Sequence, residues 1–504
     1  MSTSGSVAAV DLGATSGRVI VGHVDTDGVR MEHVSRFPNG PVTLHEGVDH
    51  TGSRDTLHWD VVGLHAAAVD GLRRAVQDND DLASIGVDSW AVDYGLLRGG
   101  RLLGLPTHYR DARHEAGVRT VHARVDAAEL YRRNGLQHLP FNTVFQLAAD
   151  PALPEAERML LVPDLLGYWL TGVEGAERTN ASTTGLLQPT TRGWDMSLAR
   201  MTGLPAGLLP TLRDPGDRLG PLLPAVRSAI GAPDALGVTL VGSHDTASAV
   251  VAVPASEPDF AYISSGTWSL VGVELESPLL SDAARLANCT NEGGVDGRVR
   301  FLKNVSGLWL LSESVRTWER DGARIDLEAL LAAATDVTTR VPVFDTMDDR
   351  FTPPGDMPAR IDAWCDEHGV PAPATRAEYV RSILESLAVA YAETVETLER
   401  VTGRAIRVVH VVGGGSQNRL LCQLTADRTG RPVLAGPVEA TALGNVLVQA
   451  RAAGLGRLGG ASLEALRDVV ARTVDPASYH PEIGRVTPAH PGTASRPATA
   501  RSTS

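Results

Sequence analysis

A single acidic residue, Asp245, lies in the segment GSHDTASAV (residues 242–250), whose other members are small, apolar or uncharged. The preceding run, GVTLVG, is typical of a buried strand, and the following run, ASAVVAV, carries no charge. A carboxylate in such surroundings must be hydrogen-bonded, paired or used in chemistry, because burying it alone costs free energy. Two hypotheses follow: Asp245 caps the start of a helix, or it accepts a proton in a reaction.

Two turns rich in Gly, Ser and Thr could hold a chain of phosphates. The first, DLGATSGR (11–18), would bring backbone N–H groups and hydroxyls close to a ligand. Arg18 could offset phosphate charge, and Asp11 could hold a cation through water, since magnesium keeps much of its hydration. The second turn, SSGTWSL (264–270), offers Thr267 and its neighbours in the same way. Each turn alone fits an ordinary hairpin, but together they predict a clamp on polyphosphate.

A third glycine-rich segment, VVGGGSQN (411–418), follows a predicted strand and opens a predicted helix. The dinucleotide-binding pattern needs a third glycine at the position that Asn418 occupies, and an acidic residue at the end of the next strand. The next strand, PVLAG, is apolar. The segment therefore argues against a nicotinamide-dependent dehydrogenase and favours close contact with the sugar and base of a nucleoside.

The composition bounds the class of protein. The chain has 504 residues, 43% hydrophobic and 21% charged, which is typical of a globular protein with two or three domains. A net charge of −14 argues against nucleic-acid binding, and no apolar run reaches membrane-spanning length. The N-terminus lacks the pattern of a signal peptide, and the three widely spaced cysteines predict neither disulfides nor a metal cluster. We therefore expect a cytoplasmic protein.

Three segments share one pattern: residues 7–24, 85–97 and 260–275 each combine an apolar run, a small polar turn and a second apolar run. The first and third lie about 250 residues apart, which predicts two halves with a common plan, each opening on a hairpin. Predicted strands alternate with helices throughout, and residues 374–403 form the clearest helical pattern. The predicted fold class is therefore α/β.

The predicted organisation has three parts. Residues 1–250 form an N-terminal domain, and residues 251–483 form a C-terminal domain. Residues 484–504 are rich in Pro, Ala, Ser and Thr, which predicts a disordered tail.

Taken together, these motifs resemble the FGGY family of carbohydrate kinases, in the sugar kinase, Hsp70 and actin superfamily. The resemblance covers residues 7 to about 480 and is carried by VDLGATSGR, IGVDSWAVDYGLL, GLPTHYRDAR, LPFNT, LTGVEGAERTNASTT, GSHDTASAV, YISSGTWSLVG, NEGG, LKNVSGLWLL, HVVGGGSQN and AGPVEATALGN. It implies two ribonuclease-H-like domains of the actin-like ATPase type with a catalytic cleft between them. Residues 1–250 would then bind the sugar and carry the catalytic carboxylate, and residues 251–483 would bind the nucleotide. LPFNT, NEGG and LKNVSGLWLL, in this order, resemble the members that phosphorylate L-rhamnulose to L-rhamnulose 1-phosphate in L-rhamnose degradation.

The resemblance also implies roles for individual residues. Asp245 would be the catalytic base, and His244, Thr246 and Asn304 would line the sugar site with it. The cofactors would be ATP and Mg²⁺, with Asp11 toward the metal. The residues that would contact ATP are Ala14, Thr15, Ser16, Gly17 and Arg18 from the first half, and Thr267 and Gly414 from the second.

Two positions depart from the family's pattern. Ala91 stands where glycine is common at a sugar-contacting position, so its methyl group could narrow the sugar site. Ser312 stands where glutamine is usual at an ATP-contacting position. Next to Asn304, Lys303 is the only lysine among the 46 basic side chains, which hints at a need for a compact ammonium group.

Several alternatives stay open. Another FGGY kinase, acting on a different ketose, on fuculose or on glycerol, would share most of these motifs. A more distant alternative is a nucleotide switch of the actin or Hsp70 type that phosphorylates no sugar. For the kinase we expect a sugar and ATP as partners, no nucleic acid and no membrane, and a monomer or weak homodimer.

Overall fold

The computed structural model describes residues 4–49 and 52–482, and within them two large β-sheets form the framework. The six-stranded N-terminal sheet consists of Gly5–Leu12, Ser16–Val24, Val29–Pro38, Leu82–Ser89, Arg218–Pro221 and Gly237–Thr239. The seven-stranded C-terminal sheet consists of Phe260–Ser265, Trp268–Leu275, Thr290–Gly293, Val299–Ser306, Val408–Val412, Val433–Ala435 and Ala477–Tyr479.

The two sheets share one plan. In the N-terminal sheet Gly5–Leu12 pairs antiparallel with Ser16–Val24 and parallel with Leu82–Ser89. In the C-terminal sheet Phe260–Ser265 pairs antiparallel with Trp268–Leu275 and parallel with Val408–Val412. The predicted α/β class and the two predicted hairpins that open the halves are confirmed.

Residues 85–97 contain the predicted strand, turn and strand, but these two strands do not pair with each other. Leu82–Ser89 lies in the N-terminal sheet, whereas Tyr94–Arg98 pairs antiparallel with Arg158–Leu161 in a separate three-stranded sheet. The intervening turn redirects the chain, and Val92 within it has a positive φ of 70°. An apolar run on each side of a turn shows two strands, but it does not show that they pair with each other.

The helices cover the outer faces of both sheets and fill the space between them. They span Val61–Asp78, His114–His122, Ala127–Asn134, Thr143–Ala148, Val162–Thr171, Arg178–Ala181, Met196–Thr202, Pro224–Ile230, Asp245–Val251, Asp282–Leu286, Trp309–Arg320, Leu327–Thr335, Met357–His368, Arg376–Thr402, Arg419–Thr429, Ala440–Ala453 and Leu463–Thr473. The longest described helix, Arg376–Thr402, begins with a capping box between Thr375 and Glu378, as the sequence predicts.

A smaller region inserted between strands of the N-terminal sheet overhangs the cleft. A separate two-stranded hairpin consists of Pro41–Asp49 and Gly52–Trp59. The short strands of the inserted region are Tyr94–Arg98, Arg101–Leu102, Arg158–Leu161, Ala176–Glu177, Leu187–Gln188, Gly193–Trp194 and Leu212–Arg213. Val121, Phe145 and Leu161 belong to a core of its own. The segment thereby gains enough rigidity to hold side chains over the cavity between the halves.

Two helices lie between the large sheets and join the halves. Asp245–Val251 and Ala440–Ala453 share one hydrophobic core with residues of both sheets, among them Val7 and Tyr262. The two helices approach so closely that a Cβ atom on Gly444 would lie 1.8 Å from the carbonyl oxygen of Ser248. Glycine is required there because a side chain would push the helices apart.

Polar side chains fix the register of Ala440–Ala453 on the N-terminal sheet. The Asn445 side-chain amide donates to Asp88 Oδ2 at 2.5 Å, and that of Gln449 donates to the Ala8 carbonyl at 3.0 Å. Ser84 Oγ donates to Gln449 Oε1 at 2.5 Å. These side chains are buried, so each pairing offsets the cost of removing its groups from water.

Two sequence-based expectations concern the ends of the predicted domains. The boundary predicted at residues 250 and 251 falls at the end of Asp245–Val251 and stays a prediction, as does the second domain's end at residue 483. The tail predicted over 484–504 lies outside the described residues.

Within residues 4–49 and 52–482, none of the helices combines the length and apolarity that a bilayer crossing requires.

The contact between the two central helices predicts a packing-sensitive position. Gly444→Ala should lower the free energy of unfolding by about 1–3 kcal/mol, the usual cost of overpacking a tight core. Thermal and urea unfolding followed by circular dichroism would measure the change. Gly104→Ala is the matched control, because a Cβ there would meet nothing within 4 Å. Equal stability of Gly444→Ala and wild type would mean that the two helices separate without cost.

Candidate active site

A cavity of about 340 Å³ lies between the two halves. It is lined by most of the residues that the sequence analysis singled out: Asp11, Ala14, Thr15, Ser16, Arg18, Ala91, His244, Asp245, Thr246, Thr267, Asn304 and Gly414. The N-terminal sheet, the C-terminal sheet, the central helices and the inserted region all contribute to its wall. Chemistry-bearing residues that are far apart in sequence therefore meet at one place.

Two of the singled-out residues lie off the cavity wall, and so does Lys303. Gly17 is buried in its strand, where a Cβ atom would lie 2.2 Å from the ring of Phe37, so its small size serves strand packing. Ser312 lies half-buried in the helix Trp309–Arg320. The suggested ATP contacts of Gly17 and Ser312 remain predictions.

Asp245 is the first residue of the helix Asp245–Val251, and the N-cap position belongs to His244. The Asp245 carboxylate accepts the backbone N–H of Thr246 at 2.6 Å and its hydroxyl at 3.2 Å. The side chain is 29% exposed and faces the cavity. Asp245 thus satisfies one N–H at the start of the helix without being its N-cap, and its carboxylate stays accessible to a bound molecule.

The glycine-rich turns line the same cavity from opposite halves. Thr15 and Ser16 lie on the turn of the N-terminal hairpin, and Thr267 lies on the turn of the C-terminal hairpin. The short helical turn Gly414–Gln417 packs against the second of these, since a Cβ on Gly415 would lie 2.0 Å from Ser265 Oγ. Hydroxyls and glycine backbone on both sides of a cleft suit a phosphate chain.

Acidic side chains gather at the floor of the cavity. Asp11 is 1% exposed, and its Oδ2 accepts from Arg18 Nε at 2.9 Å. Arg18 Nε also lies 3.1 Å from Glu439 Oε2. Burial raises the pKa of Asp11 to about 6, the nearby Asp245 adds to the rise, and Arg18 opposes it. The floor therefore carries more negative charge than its arginine balances, which favours a bound cation.

The opposite end of the cavity is aromatic, and one buried carboxylate organises it. Asp93 Oδ2 accepts from the indole nitrogens of Trp59 at 2.6 Å and Trp90 at 3.0 Å, and from the backbone N–H of Tyr109 at 3.3 Å. Its Oδ1 accepts from Gln146 Nε2 at 2.7 Å. Burial raises the pKa of Asp93 to about 7, and these hydrogen bonds oppose the rise.

The wall between these rings contains a strained turn. Val92 has a φ of 70°, a conformation that β-branched residues rarely adopt. The hydroxyl of Thr143 donates to the Val92 carbonyl at 2.6 Å. Ala91, Val92 and Trp90 all line the cavity. The surrounding hydrogen bonds thus hold Ala91 and Val92 in a fixed position against any bound sugar-sized molecule.

A buried cluster of His244, Glu292 and Arg300 lies behind Asp245. Arg300 Nη2 lies 3.0 Å from His244 Nδ1 and 3.2 Å from Glu292 Oε2. His244 Nε2 lies 3.4 Å from Asp245 Oδ1. Burial would raise the pKa of Glu292, but the neighbouring His244 and Arg300 outweigh it and hold that pKa below its ordinary value.

Sequence reasoning missed several residues of the site. Gln137 fixes Asn304, because its Oε1 accepts from the backbone N–H of Asn304 at 2.8 Å and from its side chain at 3.0 Å. Asp93 and Glu292 stand in the quoted segments SWAVD and NEGG, where an acidic residue among apolar or small neighbours was an available signal. Gln137 carries no such signal, since an uncharged residue in a loop resembles many others.

The paired sheets, the cleft between them and the facing turns define a two-lobed phosphotransferase of the actin-like ATPase fold. The chain belongs to the FGGY family of carbohydrate kinases: residues 6–252 match the N-terminal domain of that family and residues 261–453 match the C-terminal domain. The resemblance noted in the sequence is confirmed. The protein is thus a carbohydrate kinase, with ATP and a sugar as its substrates.

Curated relatives narrow the comparison within the family. The chain is 38% identical over 480 residues to a rhamnulokinase of Bacteroides thetaiotaomicron, covering 94% of this chain and 95% of the relative. It is 40% identical to a rhamnulokinase of Enterococcus faecalis, with 95% and 94% covered. A rhamnulokinase of Enterobacter sp. is 41% identical, with 88% of each chain covered. The similarity therefore spans nearly the whole chain.

Solved structures support the fold. A ligand-bound xylulose kinase from Lactobacillus acidophilus superposes with a TM-score of 0.73 at 16% identity, covering 95% of this chain and 94% of the other. A Plasmodium falciparum glycerol kinase with ADP gives a TM-score of 0.71 at 15% identity, with 96% and 95% covered. At such identities the likeness concerns the fold alone.

The hydrogen bonds around Asp93 predict a specific effect on sugar binding. Asp93→Asn places an N–H₂ group against donors, which should cost about 1–3 kcal/mol of stability. The turn at Ala91 and Val92 should loosen as a result. The KM for the sugar should therefore rise while the KM for ATP stays within about twofold. Thermal unfolding and steady-state kinetics with each substrate varied would measure both effects.

Asp150→Asn is the matched control for this prediction. Asp150 accepts from Tyr94 at 2.9 Å and Arg113 at 3.1 Å, but it lies off the cavity wall. This variant should lose stability without a change in the KM for the sugar. An equal rise in that KM for both variants would contradict a specific role of Asp93.

Proposed function

We propose that the protein transfers the γ-phosphoryl group of ATP to the primary hydroxyl of L-rhamnulose, giving L-rhamnulose 1-phosphate in L-rhamnose degradation. The observation that carries the proposal is the position of the Asp245 carboxylate. It faces a cavity with phosphate-type turns on one side and an aromatic, hydrogen-bonded wall on the other. The similarity to curated rhamnulokinases along nearly the full chain supports the choice of sugar.

In the proposed reaction Asp245 accepts the proton of the sugar hydroxyl as its oxygen attacks the γ-phosphorus. The new P–O bond forms while the bond from that phosphorus to the bridging oxygen of ADP breaks. Positioning and charge stabilisation dominate such transfers, so the enzyme's main task is to align the hydroxyl, the carboxylate and the phosphate. His244, Thr246, Asn304 and Ala91 are the proposed sugar contacts.

ATP would lie across the two turns. The phosphates would meet Ala14, Thr15, Ser16 and Thr267, whose hydroxyls and backbone line the cavity. Gly414 would face the nucleoside, and its lack of a side chain leaves open space there, since a Cβ would meet nothing within 4 Å. Gly17 and Ser312 lie off the cavity wall, so they would affect ATP only through the residues that line it.

The floor of the cavity fits a magnesium ion bound with ATP. Asp11 offers a buried carboxylate oxygen, and burial together with Asp245 raises its pKa to about 6 in the absence of a cation. Hard oxygen donors with room for retained water are what Mg²⁺ prefers. When bound, the ion would neutralise phosphate charge, while Arg18 holds the carboxylate of Asp11 in place.

The remaining parts of the proposal concern the protein's setting. We propose a cytoplasmic enzyme that acts as a monomer or weak homodimer, with no nucleic acid or membrane as partner. The net charge of −14 supports the expectation that nucleic acid is not a partner.

A panel of sugars tests the proposed substrate. ADP release should be fastest with L-rhamnulose and depend on magnesium, and the product should carry phosphate on the primary hydroxyl, as ³¹P and ¹³C NMR would show. A higher kcat/KM with D-xylulose, L-fuculose or glycerol would replace the proposed sugar by another within the family. ADP release that ignores every sugar would favour a nucleotide switch instead.

Asp245→Asn separates catalysis from helix stability. Asn keeps the size and one acceptor oxygen but cannot take the proton, so kcat should fall by roughly 10²–10⁴-fold. Stability should change little, because Asn accepts N–H groups near helix starts about as well as Asp does. ATP affinity should stay near that of wild type. Steady-state kinetics would measure kcat, calorimetry the ATP affinity, and thermal unfolding the stability.

Asp326→Asn is the matched control. Asp326 is an exposed N-cap that accepts the N–H of Ala329 at 3.0 Å and lies outside the cavity wall. It should retain both stability and turnover. Turnover by Asp245→Asn within threefold of wild type would exclude Asp245 as the base.

A further inference from the structure

Arg300 is a fully buried cation that does not itself line the cavity but contacts two residues that do, His244 and Glu292. Its side chain is 0% exposed, and it lies on the strand Val299–Ser306. Nε donates to the Gly293 carbonyl at 2.9 Å. Nη2 points to His244 Nδ1 at 3.0 Å and lies 3.2 Å from Glu292 Oε2. Burying a guanidinium is costly, so its position behind the cavity calls for a reason.

The contact between Arg300 and His244 fixes where the imidazole proton can be. A guanidinium only donates hydrogen bonds, so the nitrogen that faces it, Nδ1, must offer its lone pair. The single proton of the neutral ring is then on Nε2. The tautomer of a histidine is set by the partner of its other nitrogen in this way.

Glu292 is the competitor for the same nitrogen. Its Oε2 lies 3.4 Å from His244 Nδ1, and a proton on Nδ1 could bond to it. Among the described residues, however, Glu292 Oε2 makes no hydrogen bond, whereas Arg300 Nη2 and His244 Nδ1 lie at hydrogen-bonding distance. The geometry therefore favours the tautomer with hydrogen on Nε2.

The other edge of the ring faces the reaction. His244 Nε2 lies 3.4 Å from Asp245 Oδ1, and both side chains line the cavity. A hydrogen on Nε2 points a donor at the carboxylate and at any hydroxyl bound beside it. A hydrogen on Nδ1 would instead leave a lone pair on Nε2 opposite the Asp245 carboxylate with no donor between them. The lone pair on Nδ1 lies equally close to Glu292 Oε2, at 3.4 Å, but there Arg300 Nη2 offsets the repulsion from 3.0 Å and 3.2 Å.

We propose that Arg300 is a positioning residue that holds His244 in the neutral tautomer with hydrogen on Nε2, so that His244 donates toward the Asp245 carboxylate and the sugar hydroxyl. Asp245 is thereby oriented with a free oxygen toward the hydroxyl whose proton it takes. Glu292 balances the charge of Arg300 and keeps its guanidinium in place. The catalytic part of this inference rests on the proposed role of Asp245, whereas the tautomer itself does not.

The tautomer can be measured directly on the wild-type protein. Long-range ¹H–¹⁵N correlation spectra of ¹⁵N-histidine-labelled protein distinguish protonated from unprotonated ring nitrogens, and the signals of His244 are those lost in His244→Gln. We expect Nδ1 unprotonated and Nε2 protonated. A proton on Nδ1 alone, or on both nitrogens, at neutral pH would overturn the proposal.

Variants at Arg300 test the consequence. Arg300→Met should move the proton of His244 to Nδ1, toward Glu292, and lower kcat by roughly 10–100-fold, the range seen when the outer partner of a functional histidine is removed. The KM for ATP should stay near wild type. Arg300→Lys, which keeps a donor, should restore the wild-type tautomer and part of kcat.

A double variant guards against loss of folding. Arg300→Met with Glu292→Leu removes both buried charges, so no unpaired charge is left in the core, and leucine offers no donor to Nδ1. With no cation at Nδ1, it should also show low kcat, together with a thermal stability near that of wild type. Unchanged kcat in this variant, or an unchanged tautomer in Arg300→Met, would overturn the positioning role.

The measurements separate this inference from the proposed function. If the wild-type spectra show hydrogen on Nε2 but no sugar is phosphorylated, the proposed reaction fails and the assigned tautomer stands. If sugar is phosphorylated and Asp245→Asn is inactive, but the tautomer is reversed, the proposed reaction stands and the role of Arg300 is refuted.

Discussion

The two halves are held in register by polar side chains buried between them, and the active site depends on that register. Asn445 and Gln449 bring amide groups into a core shielded from solvent, where each must find a partner on the N-terminal sheet. Their pairing with Asp88 and the Ala8 carbonyl sets the position of the helix Ala440–Ala453 along the sheet. Glu439 directly precedes this helix and lies 3.1 Å from Arg18. A shift of the helix along the sheet would therefore displace Glu439 from Arg18 at the floor of the cavity.

The same contact shapes the electrostatics of the floor. Asp88 and Asp11 are paired in register on neighbouring parallel strands, which places two carboxyl groups side by side. Burial, and next the charge of Asp11, raise the pKa of Asp88 well above its ordinary value, so a proton on Asp88 relieves the repulsion. The carboxyl groups that line the cavity are those of Asp11, Asp245, Glu292 and Glu439. Asp88 Oδ2 also accepts from Asn445 Nδ2, so Asp88 serves the helix contact and the site together.

The sequence predicts a structural feature when the residue types within one segment, or their periodicity, indicate that feature. Asp245, the hydroxyl-rich turns and the capped helix Arg376–Thr402 stand out because their chemistry or periodicity is visible locally. The arrangement around Asp93 is not visible, since its donors come from Trp59, Trp90 and Gln146 on separate elements.

The features that the sequence did not reveal have the same origin. The alternating pattern of residues 85–97 predicts two strands correctly but contains no information on their partners, and the sheet topology separates them. The positive φ of Val92 could not be predicted from the sequence, because valine normally avoids this conformation. Arg300 meets His244 only because a strand of the C-terminal sheet passes behind a helix of the other half, 56 positions away.

The path of the chain through the central layer also sets an order of events during synthesis. One face of the N-terminal sheet, around Val7, Ala9 and Ile20, is covered by a core that includes Val446 and Leu447. Those residues leave the ribosome about 190 positions after the helix that ends at Val251. At 5–20 residues per second the delay is about 10–40 s. Until then that face of the sheet lacks the part of its apolar cover that Val446 and Leu447 supply, so the first half of the fold is completed only by residues from the later part of the second half.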